Sequence, residues 1–452
     1  MIERMDPALA VIVLAAGQGT RMKSSLPKVL HPIGGRPMLG HVLAVAKELK
    51  AARTVVVTAP GAEAVTKLAN LSGAEAVVQD RQFGTGHAVL AAEKALSGFD
   101  GIVLVLFGDA PLLTAKTLGR LIGRLGSGSH LAALGFRAAD PTGYGRMVAK
   151  GDSLIRIVEQ KDASEDERRI DLCFAGMLAG RAKLIFELLH QVGNANAQGE
   201  FYLTDVIRIA AERGLNAAIV EGPESEMLGV NSRAQLAEGE GAFQARKRTA
   251  LMDAGVTLLA PETVYFSADT EIEPDATIGH YVVFGPGVSV KRGAEIRAFC
   301  HIENSKIGED VILGPFARLR GGVILDAKVD IGNFVELKNA HLETGVKAHH
   351  LTYLGDSHVA EKANIGAGTI TCNYDGFAKH RTEIGAGAFI GSNSALVAPV
   401  TIGKNAIVAA GSTITENVEA GALALGRGRQ ETKPGRAEQI RAKYKARKDR
   451  NA

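Results

Sequence analysis

The sequence predicts two successive architectures, an α/β domain with a mainly parallel sheet and then a left-handed parallel β-helix. In the first half, short apolar runs of strand character alternate with helix-like stretches. In the second half, an apolar residue returns at every sixth position over most of the region from Ile272 to Ile414. Alternating strands and helices favour a parallel sheet, and a six-residue period is typical of a β-helix built from hexapeptide repeats.

The strands expected in the first half are short. The apolar runs cover residues 11–14, 54–58, 75–78, 102–107 and 131–136, with helix-like stretches over 37–50 and 87–96. In such sheets ligands bind beyond the carboxyl ends of the strands, so the loops after these runs are the expected sites of function. A helical segment over 232–253 follows, for which Asn231 is a plausible N-cap.

The hexad rhythm of the second half defines the coils of the predicted β-helix. Its apolar positions are Ile272, Ile278, Phe284, Val290, Ile296, Ile302, then Ile307, Leu313, Leu319, Leu325, Ile331, Leu337, and later Ile384, Ile390, Leu396, Ile402, Val408, Ile414. Three hexads, about 18 residues, make one coil whose inward side chains stack on those of the coil before. The rhythm slips between Leu337 and Ile384, where we expect a site.

Length and charge indicate several domains and a basic tail. A chain of 452 residues exceeds one ordinary core. We predict domains over 1–231 and 255–426, a linker helix over 232–254 and a tail over 427–452. The tail carries ten Lys or Arg against three acidic residues, a charge of +7. The net charge of the whole chain is +3, so the residues before the tail sum to −4. We interpret the tail as a solvated terminus, with contact to nucleic acid or an anionic lipid face as the alternative.

Cysteine usage and hydropathy bear on the compartment. Cys173, Cys300 and Cys372 have neither metal nor disulfide spacing, which predicts reduced thiols. No apolar run approaches the length of a transmembrane helix. We therefore predict a cytoplasmic protein with no integral membrane association and no nucleic-acid partner.

The first apolar run ends in a loop that suits a polyphosphate. Gly17 and Gly19 allow a ligand to approach the backbone, and Arg21 and Lys28 bring two cations to the same loop. No Gly-Lys-Ser/Thr follows, so this is not a P-loop, and Met22 stands where a dinucleotide fingerprint has its third Gly. A simple strand-to-helix turn is the alternative.

Asp109 follows the buried run over 102–107. Alone, such an Asp is more often a turn or cap residue. Opposite a polyphosphate it becomes a predicted ligand of Mg²⁺, which takes one or two protein oxygens and completes its shell with water and phosphate. No base is evident nearby, which suits attack by a sugar 1-phosphate on a nucleotide α-phosphate, because that nucleophile is already an anion.

The interruptions of the hexad rhythm are rich in polar residues. His350 is the natural candidate for a general base in this region, because the unperturbed pKa of histidine, about 6.5, is close to working pH. Arg320 and Lys338 can hold a phosphate, and Tyr353 and Asn364 offer hydrogen bonds. The alternative is that these are solvated residues at coil corners, and a metal site at the two adjacent histidines lacks a third ligand.

Ordered motifs in both halves resemble those of one bacterial family. The first set is LAAGQGTRMKSSLPKVL, QDRQFGTGHA, FGDAPLL, PTGYGRMV, IVEQKDA, GEFYLTDVI and GVNSRAQL, and the second is ARLRGG, NFVELKNA, HHLTYLGD, NIGAGTITCNYDG, GSNSALVAPVTIG and AAGSTIT. They resemble, over nearly the whole chain, the bifunctional UDP-N-acetylglucosamine pyrophosphorylases/glucosamine-1-phosphate N-acetyltransferases. The resemblance implies a Rossmann-like nucleotidyltransferase domain followed by an acetyltransferase β-helix.

For the first half, the resemblance implies a site for a uridine nucleotide and a sugar phosphate. The implied contacts are Leu14, Ala15, Ala16, Gly17, Lys28, Gln79, Gly84, Thr85, Gly145, Glu159 and Asn231. Asp109 and Asn231 would hold Mg²⁺, and Arg21 and Lys28 would act on the phosphates. Taken singly, each of these residues could instead be a turn, strand-end or surface residue. Phe174 stands where the family usually has an Asn that touches the sugar, so sugar recognition there stays open.

For the second half, the resemblance implies an acetyltransferase site shared between the subunits of a homotrimer. It assigns the base to His350, with Glu336 nearby. The implied sugar-phosphate contacts are Arg320, Lys338, Tyr353, Asn364 and Lys379, and the implied acetyl-CoA contacts are Ala367, Asn373, Tyr374, Ser392, Ala410 and Arg427.

The predicted function joins the two sites. Glucosamine 1-phosphate is acetylated by acetyl-CoA, and N-acetylglucosamine 1-phosphate is then coupled to UTP with Mg²⁺, which releases pyrophosphate and UDP-N-acetylglucosamine for envelope synthesis. Two alternatives stay open. A monofunctional sugar nucleotidyltransferase could carry a regulatory β-helix, which His350 and the NYDG loop disfavour, and both folds could instead form a non-enzymatic assembly module.

Overall fold

The computed structural model describes residues 7–151 and 153–450, which form two compact units. One unit holds the chain up to Ala250 together with Phe266–Ala268, and the other holds Leu251–Tyr265 and the chain from Asp269 onward. The division at Ala250 falls within the predicted linker helix. The first six residues of the predicted first domain and the last two of the predicted tail lie outside the described residues.

The first unit is built on a sheet with helices on both faces. Its strands are β1 Leu9–Leu14, β2 Pro32–Ile33, β3 Arg36–Pro37, β4 Arg53–Thr58, β5 Glu75–Val78, β6 Ile102–Phe107, β7 Leu131–Arg137, β8 Gly145–Lys150, β9 Ser153–Val158, β10 Leu172–Arg181 and β11 Ala217–Glu221. The helices that begin in this unit are α1 Met38–Glu48, α2 Glu63–Leu71, α3 Thr85–Ala91, α4 Ala115–Gly126, α5 Glu165–Arg168, α6 Ala182–Leu189, α7 Asp205–Glu212 and α8 Arg233–Asp253, the last of which runs past the division. The main sheet has the order β5-β4-β1-β6-β10-β7-β11-β9-β8.

The predicted α/β domain is confirmed. β1 pairs in parallel with β4 and β6, and β4 with β5, whereas β10 runs antiparallel to β6 and β7. The run in β1 is continuously apolar because both faces of the sheet are covered: Ile12 and Leu14 pack into one core, and Val11 and Val13 into the other. The carboxyl ends of β1 and β6 lie side by side, so the loops that follow them open at one edge of the sheet.

The second unit is the predicted left-handed parallel β-helix. Its strands are β12 Thr257–Leu258, β13 Glu271–Ile272, β14 Thr277–Ile278, β15 Val283–Phe284, β16 Val288–Val290, β17 Glu295–Ile296, β18 His301–Ile302, β19 Ser305–Ile307, β20 Ile312–Leu313, β21 Arg318–Arg320, β22 Val323–Leu325, β23 Asp330–Asn333, β24 Glu336–Leu342, β25 Lys347–His350, β26 Tyr353–Val359, β27 Asn364–Ile365, β28 Ile370–Cys372, β29 Thr382–Ile384, β30 Phe389–Ile390, β31 Ala395–Val397, β32 Val400–Ile402, β33 Ile407–Val408, β34 Thr413–Ile414 and β35 Leu423–Ala424.

These strands form three faces. The first face runs from β12 through β14, β17, β20, β23, β25, β27, β30 and β33 to β35. The second face follows β15, β18, β21, β24, β26, β28, β31 and β34. The third follows β13, β16, β19, β22, β24, β26, β29 and β32, because β24 and β26 are long enough to cross from the second face to the third. We call the turn between the first and second faces the first corner, and the turn between the second and third faces the second corner.

The inward positions of the coils are those of the hexad pattern. Ile278, Ile296, Leu313 and Ile331 follow one another on the first face, and each is essentially inaccessible to solvent. One coil is longer than the others because residues 373–381 are inserted at the second corner, between β28 and β29. The long interval before Ile384 in the sequence rhythm therefore marks an inserted loop.

The described part of the tail ends in α9 Arg436–Arg450, whose side chains are all exposed. Among the described residues, no helix combines the length and the apolar character needed to cross a membrane.

Gly308 tests how closely the coils stack. A Cβ at this position would lie 2.7 Å from Leu325 O and from Asp326 C of the following coil, too close for van der Waals contact. We expect Gly308→Ala to lower the free energy of unfolding by about 1–3 kcal/mol, the usual cost of overpacking. Urea or thermal melts followed by circular dichroism measure this change.

Gly119 on α4 supplies the matched control, because a Cβ there would meet nothing within 4 Å. Gly119→Ala should raise stability by up to about 1 kcal/mol, since Ala is the better helix former. Equal melting behaviour of the two variants would contradict the stacking argument.

Candidate active sites

A cavity of about 520 Å³ opens at the carboxyl edge of the sheet in the first unit. The predicted residues that line it are Leu14, Ala15, Ala16, Gly17, Lys28, Gln79, Gly84, Thr85, Asp109, Gly145, Glu159 and Asn231. The fold thus brings to one place residues that the sequence spreads over most of the first unit.

The ammonium group of Lys28 contacts oxygen atoms of two residues in this cavity. Its Nζ donates to Asn231 Oδ1 at 2.9 Å and forms a short ion pair with Asp109 Oδ2. The Lys28 and Asp109 side chains are only 13% and 15% exposed, so water screens the pair weakly. The loop cation predicted from the sequence therefore reaches the acidic end of β6.

Asp109 and Asn231 present their oxygens to one cation. A carboxylate and an amide oxygen that converge in this way fit Mg²⁺, which uses one or two protein oxygens and takes its other ligands from phosphate and water. Within residues 7–151 and 153–450, no cluster of three or more His, Cys, Asp or Glu side chains is suited to a metal ion.

Glycine shapes the loop after β1. Gly19 has a φ of 62°, and a Cβ there would lie 2.6 Å from Lys28 Cβ. Gly17 lines the cavity and has open space where a Cβ would stand. Arg21 is exposed on the 3₁₀ turn Thr20–Met22 and is not among the residues that line the cavity. Of the two predicted cations, the structure brings only Lys28 to the site.

Asn231 does not cap α8. The hydroxyl of Ser232 accepts from the backbone N–H of Gln235 and supplies the N-cap. The side chain of Asn231 instead directs Oδ1 to Lys28. The interpretation of Asn231 as the helix cap is therefore wrong.

Gln79, Gly84 and Thr85 line the cavity and also hold its wall together. Gln79 is buried, and its Nε2 donates to Gly84 O at 3.2 Å. Gly84 has a φ of 109°, and a Cβ there would lie 2.6 Å from Phe201 O. Thr85 Oγ1 accepts from the backbone N–H of Leu203 at 3.0 Å. The segment around Phe201 is thereby fixed beside the start of α3.

Glu159 is a largely buried carboxylate in the same cavity. Burial raises its pKa above the ordinary value, while the hydroxyl of Thr204, which donates to Oε1 at 3.2 Å, opposes the rise. Gly145 lies beside it, since a Cβ on Gly145 would be 3.6 Å from Glu159 Oε2. Sequence reasoning missed Thr204, because a hydroxyl 45 residues away along the chain gives no local signal.

Phe174 and Phe107 give part of the cavity an apolar lining. Phe174 is 8% exposed. Gly176 has a φ of 94°, and a Cβ there would lie 2.9 Å from Phe107 Cδ2. The polar side chains that line the same cavity include those of Glu159 and Thr204.

In the second unit, His350 ends β25 at the first corner. Its Nδ1 donates to Asn333 Oδ1 at 2.9 Å, because an amide oxygen can only accept. The lone pair of the neutral ring then lies on Nε2, which can take a proton. Asn333 pairs in register with His350 from the preceding coil, a neighbour that sequence reasoning missed.

The second face carries the predicted phosphate contacts. Arg320 and Lys338 pair in register on successive coils, as do Glu336 and Tyr353. Arg320 Nη2 lies 2.6 Å from Glu336 Oε1. Glu336 thus pairs with Arg320, and the ring of His350 is oriented by Asn333.

The second corner carries the inserted loop. Backbone N–H groups and then His380 Nε2 donate to Asp375 and hold the pKa of its carboxyl well below the usual range. The Lys379 ammonium lies 4.0 Å from the centroid of the Tyr374 ring, and Asn373 is buried at the base of the loop. Three predicted contacts are therefore held in one compact loop.

The other predicted acetyltransferase residues lie elsewhere on the coils. Asn364 lies on the first face, in β27. Ala367, Ser392 and Ala410 occupy the first corner of successive coils, and Arg427 Nη1 donates to Ala410 O at 2.6 Å. Within one chain, the predicted residues are therefore divided between the two corners and the faces beside them.

Comparison with known proteins finds similar sequences for both units. Residues 11–171 match the family model of the MobA-like NTP transferase domain, and residues 381–416 match that of the bacterial transferase hexapeptide (six repeats). The chain is 52% identical over 444 residues to the bifunctional protein GlmU of Jannaschia sp. (strain CCS1), which covers 98% of this chain and 97% of that protein.

Two further relatives carry the same name. The bifunctional protein GlmU of Azorhizobium caulinodans is 54% identical over 439 residues, covering 97% of this chain and 98% of that protein. That of Cereibacter sphaeroides (strain ATCC 17023) is 56% identical over 447 residues, covering 98% of each.

The raised pKa of Glu159 predicts how stability depends on pH. The folded chain binds this proton more tightly than the unfolded chain, so stability falls as pH rises from the unfolded pKa of 4.5 through the higher folded pKa. Glu159→Gln removes this loss and keeps an acceptor for Thr204. We expect the variant to be more stable than the wild type at pH 8 and not at pH 4, because only the wild type loses stability from this carboxyl as the pH rises.

Urea denaturation at the two pH values measures this difference. Glu165→Gln, at an exposed position in α5, serves as control and should show no such dependence. A Glu159→Gln variant less stable than the wild type at pH 8 would show that the charged form is favoured in the folded state.

Proposed function

The chain belongs to the family of bifunctional GlmU proteins, and from that premise we propose that it makes UDP-N-acetylglucosamine at two separate active sites. The β-helix acetylates glucosamine 1-phosphate with acetyl-CoA. The first unit then couples N-acetylglucosamine 1-phosphate to UTP and releases pyrophosphate. The observation that carries the proposal is the position of Lys28 between Asp109 and Asn231, in a cavity lined by the other residues expected to bind the nucleotide.

Uridylyl transfer needs alignment and charge neutralisation more than it needs a base. The phosphate of the sugar is an anion that attacks the α-phosphorus of UTP, and pyrophosphate leaves. Lys28 supplies a cation where negative charge develops. Ala15, Ala16 and Gly17 offer backbone without bulky side chains, which lets the nucleotide approach closely.

Asp109 and Asn231 are the residues that would hold Mg²⁺. A bound Mg²⁺ neutralises the phosphates of UTP and of the leaving pyrophosphate. Lys28 now contacts the same two oxygens. With a nucleotide present, its ammonium has phosphate oxygens as alternative partners, so the two residues can serve a metal while Lys28 serves the nucleotide.

Acetyl transfer needs a base for the amine and a hold on the sugar phosphate. His350 Nε2 takes the proton as the amine nitrogen attacks the thioester carbonyl and the new N–C bond forms. The C–S bond of acetyl-CoA then breaks, and CoA leaves as a thiolate that takes up this proton. Asn333 holds the other ring nitrogen and so keeps Nε2 unprotonated in the neutral ring. Arg320 and Lys338 lie together on the second face and hold the phosphate.

We place this activity in the cytoplasm, where UTP and acetyl-CoA are available. Cys173, Cys300 and Cys372 are free thiols, as expected in a reducing compartment. Burial raises the pKa of the Cys300 thiol to about 11, which keeps it protonated and unreactive.

We propose that the β-helix works as a homotrimer. In one chain His350 lies at the first corner and Tyr374 with Lys379 at the second. Two copies side by side would bring the first corner of one to the second corner of the other and complete each site. The division of the predicted residues between two corners supports this arrangement.

An exposed row of aromatic rings gives such copies an apolar surface. Tyr281, Phe299, Phe316 and Phe334 stack along the first corner with centroids 4.8–5.2 Å apart. Each of them is at least 44% exposed. Exposed apolar surface of this extent is typical of protein interfaces, and it continues toward His350.

The trimer predicts a definite mass in solution. Sedimentation should give three times the mass of the chain for the wild type. Phe316→Ser should shift the distribution toward smaller species and lower acetyl transfer, while uridylyl transfer stays unchanged. Ile324→Ser, which alters another exposed apolar residue, on the third face, serves as control. A wild-type monomer with full acetyltransferase activity would contradict the shared site.

The two-site proposal predicts that each activity can be removed alone. Purified protein is incubated with glucosamine 1-phosphate, acetyl-CoA, UTP and Mg²⁺, and both products are followed by mass spectrometry. His350→Ala should lower acetyl transfer by at least about 100-fold and leave uridylyl transfer to supplied N-acetylglucosamine 1-phosphate unchanged. Lys28→Met should lower uridylyl transfer by a similar factor and leave acetyl transfer unchanged.

The outcomes separate the alternatives. Uridylyl transfer without acetyl transfer in the wild type would favour a monofunctional nucleotidyltransferase, and loss of both activities would favour an assembly module. Accumulation of N-acetylglucosamine 1-phosphate without UDP-sugar would mean that Phe174 disables the first site.

A further inference from the structure

The loop over 22–31, which carries Lys28, is joined at both ends to one side chain. Arg233 Nε donates to Met22 O at 3.2 Å, and Arg233 Nη1 donates to His31 Nδ1 at 3.2 Å. Two donors of one guanidinium therefore hold the beginning and the end of the loop. Lys28 lies between these two ends.

Apart from these hydrogen bonds, the contacts of Lys28 Nζ with Asp109 and Asn231, and the hydrogen bond from the Met38 N–H to His31 O, this loop is held by local turns and by apolar packing. Its backbone hydrogen bonds include those of two turns, Thr20–Met22 and Lys28–Leu30, and residues 23–26 are exposed. Met22 and Val29 are buried, but apolar packing does not fix direction. The hydrogen bonds from Arg233 add that direction, because they depend on distance and angle.

Arg233 is the first residue of α8, and the residues just before it also belong to the site. The backbone N–H of Val230 donates to Asp109 O at 2.9 Å. Asn231 Oδ1 accepts from Lys28 Nζ at 2.9 Å. The stretch over 230–233 therefore contacts the acidic strand end, Lys28 itself and both ends of the loop that carries Lys28.

His31 is suited to accept a hydrogen bond from Arg233. The residue is 4% exposed. Burial lowers the pKa of its imidazole, and the charge of Arg233 lowers that pKa further. A neutral imidazole can offer a lone pair at Nδ1. Two acceptors at the two ends of a loop match the rigid fork of a guanidinium, and the single ammonium of a lysine does not reproduce that fork.

We propose that Arg233 is a positioning residue for uridylyl transfer. Its guanidinium holds both ends of the loop over 22–31 by hydrogen bonds and so places the ammonium of Lys28 beside Asp109 and Asn231. The inference rests on the proposed function of the first unit. Arg233 acts through Lys28 and needs no contact with the substrate.

Kinetic measurements on two variants test whether Arg233 positions Lys28. In Arg233→Lys and Arg233→Gln, kcat of uridylyl transfer should fall about tenfold or more, because Lys28 is present but misplaced. Acetyl transfer by the same preparations should stay at the wild-type rate, which controls for folding and concentration. Arg208→Gln is the matched control, because its ion pairs with Asp205 and Glu212 stay within α7. Wild-type kinetics in Arg233→Lys would overturn the proposal.

A double variant distinguishes positioning from a general structural effect. If Arg233 acts through Lys28, adding Arg233→Gln to Lys28→Met should not lower the residual rate further. If the two losses multiply, Arg233 acts independently of Lys28 and the proposal fails.

Hydrogen–deuterium exchange tests whether Arg233 holds the loop and does not depend on enzyme activity. Residues 22–31 should exchange faster in Arg233→Lys than in the wild type, while residues 102–107 of β6 should be unchanged. Unchanged exchange in the loop would overturn the inference. Absence of uridylyl transfer in the wild type would instead contradict the proposed function. The exchange measurement would still decide whether Arg233 holds the loop.

Discussion

Both units depend on parallel pairing between strands. In the first unit, this pairing sets the ends of β1 and β6 side by side, so the loop of Lys28 and the carboxylate of Asp109 share one edge of the sheet. In the second unit, it stacks each coil on the one before and sets Asn333 against His350. A parallel ladder aligns the ends of its strands. Polar side chains that are distant in sequence therefore meet where strands end together.

The ion pairs in the two candidate sites differ in how far water reaches them. Lys28 and Asp109 are about 13–15% exposed, so their interaction is screened weakly and changes strongly with position. In the proposed arrangement, the directional hydrogen bonds from Arg233 would keep Lys28 in place against such changes. The pair of Arg320 and Glu336 is 30–32% exposed, and water weakens it. A bound phosphate can therefore compete for Arg320 at little cost.

Much of the candidate site in the first unit can be predicted from the sequence, because its signals are local. Gly17 and Lys28 follow one strand, and Asp109 follows another, as ligand contacts in parallel sheets do. Other contributions have no local signal: Arg233 reaches Met22 across 211 residues. The same limit explains Arg21, a cation in the predicted loop that the 3₁₀ turn leaves exposed and outside the cavity lining.

By itself the sequence determined the architecture. The six-residue spacing of apolar side chains predicts stacked coils in the second half, and alternating strands and helices predict an α/β sheet in the first half. Both predictions hold because the periodicity of apolar residues determines which side chains are buried. Only the tertiary structure decided which polar groups meet: Asn231 pairs with Lys28 and leaves the cap of α8 to its neighbour, and Asn333 rather than Glu336 holds His350. A hydrogen bond depends on distance and angle between groups that strand register brings together, and residue spacing alone does not contain either.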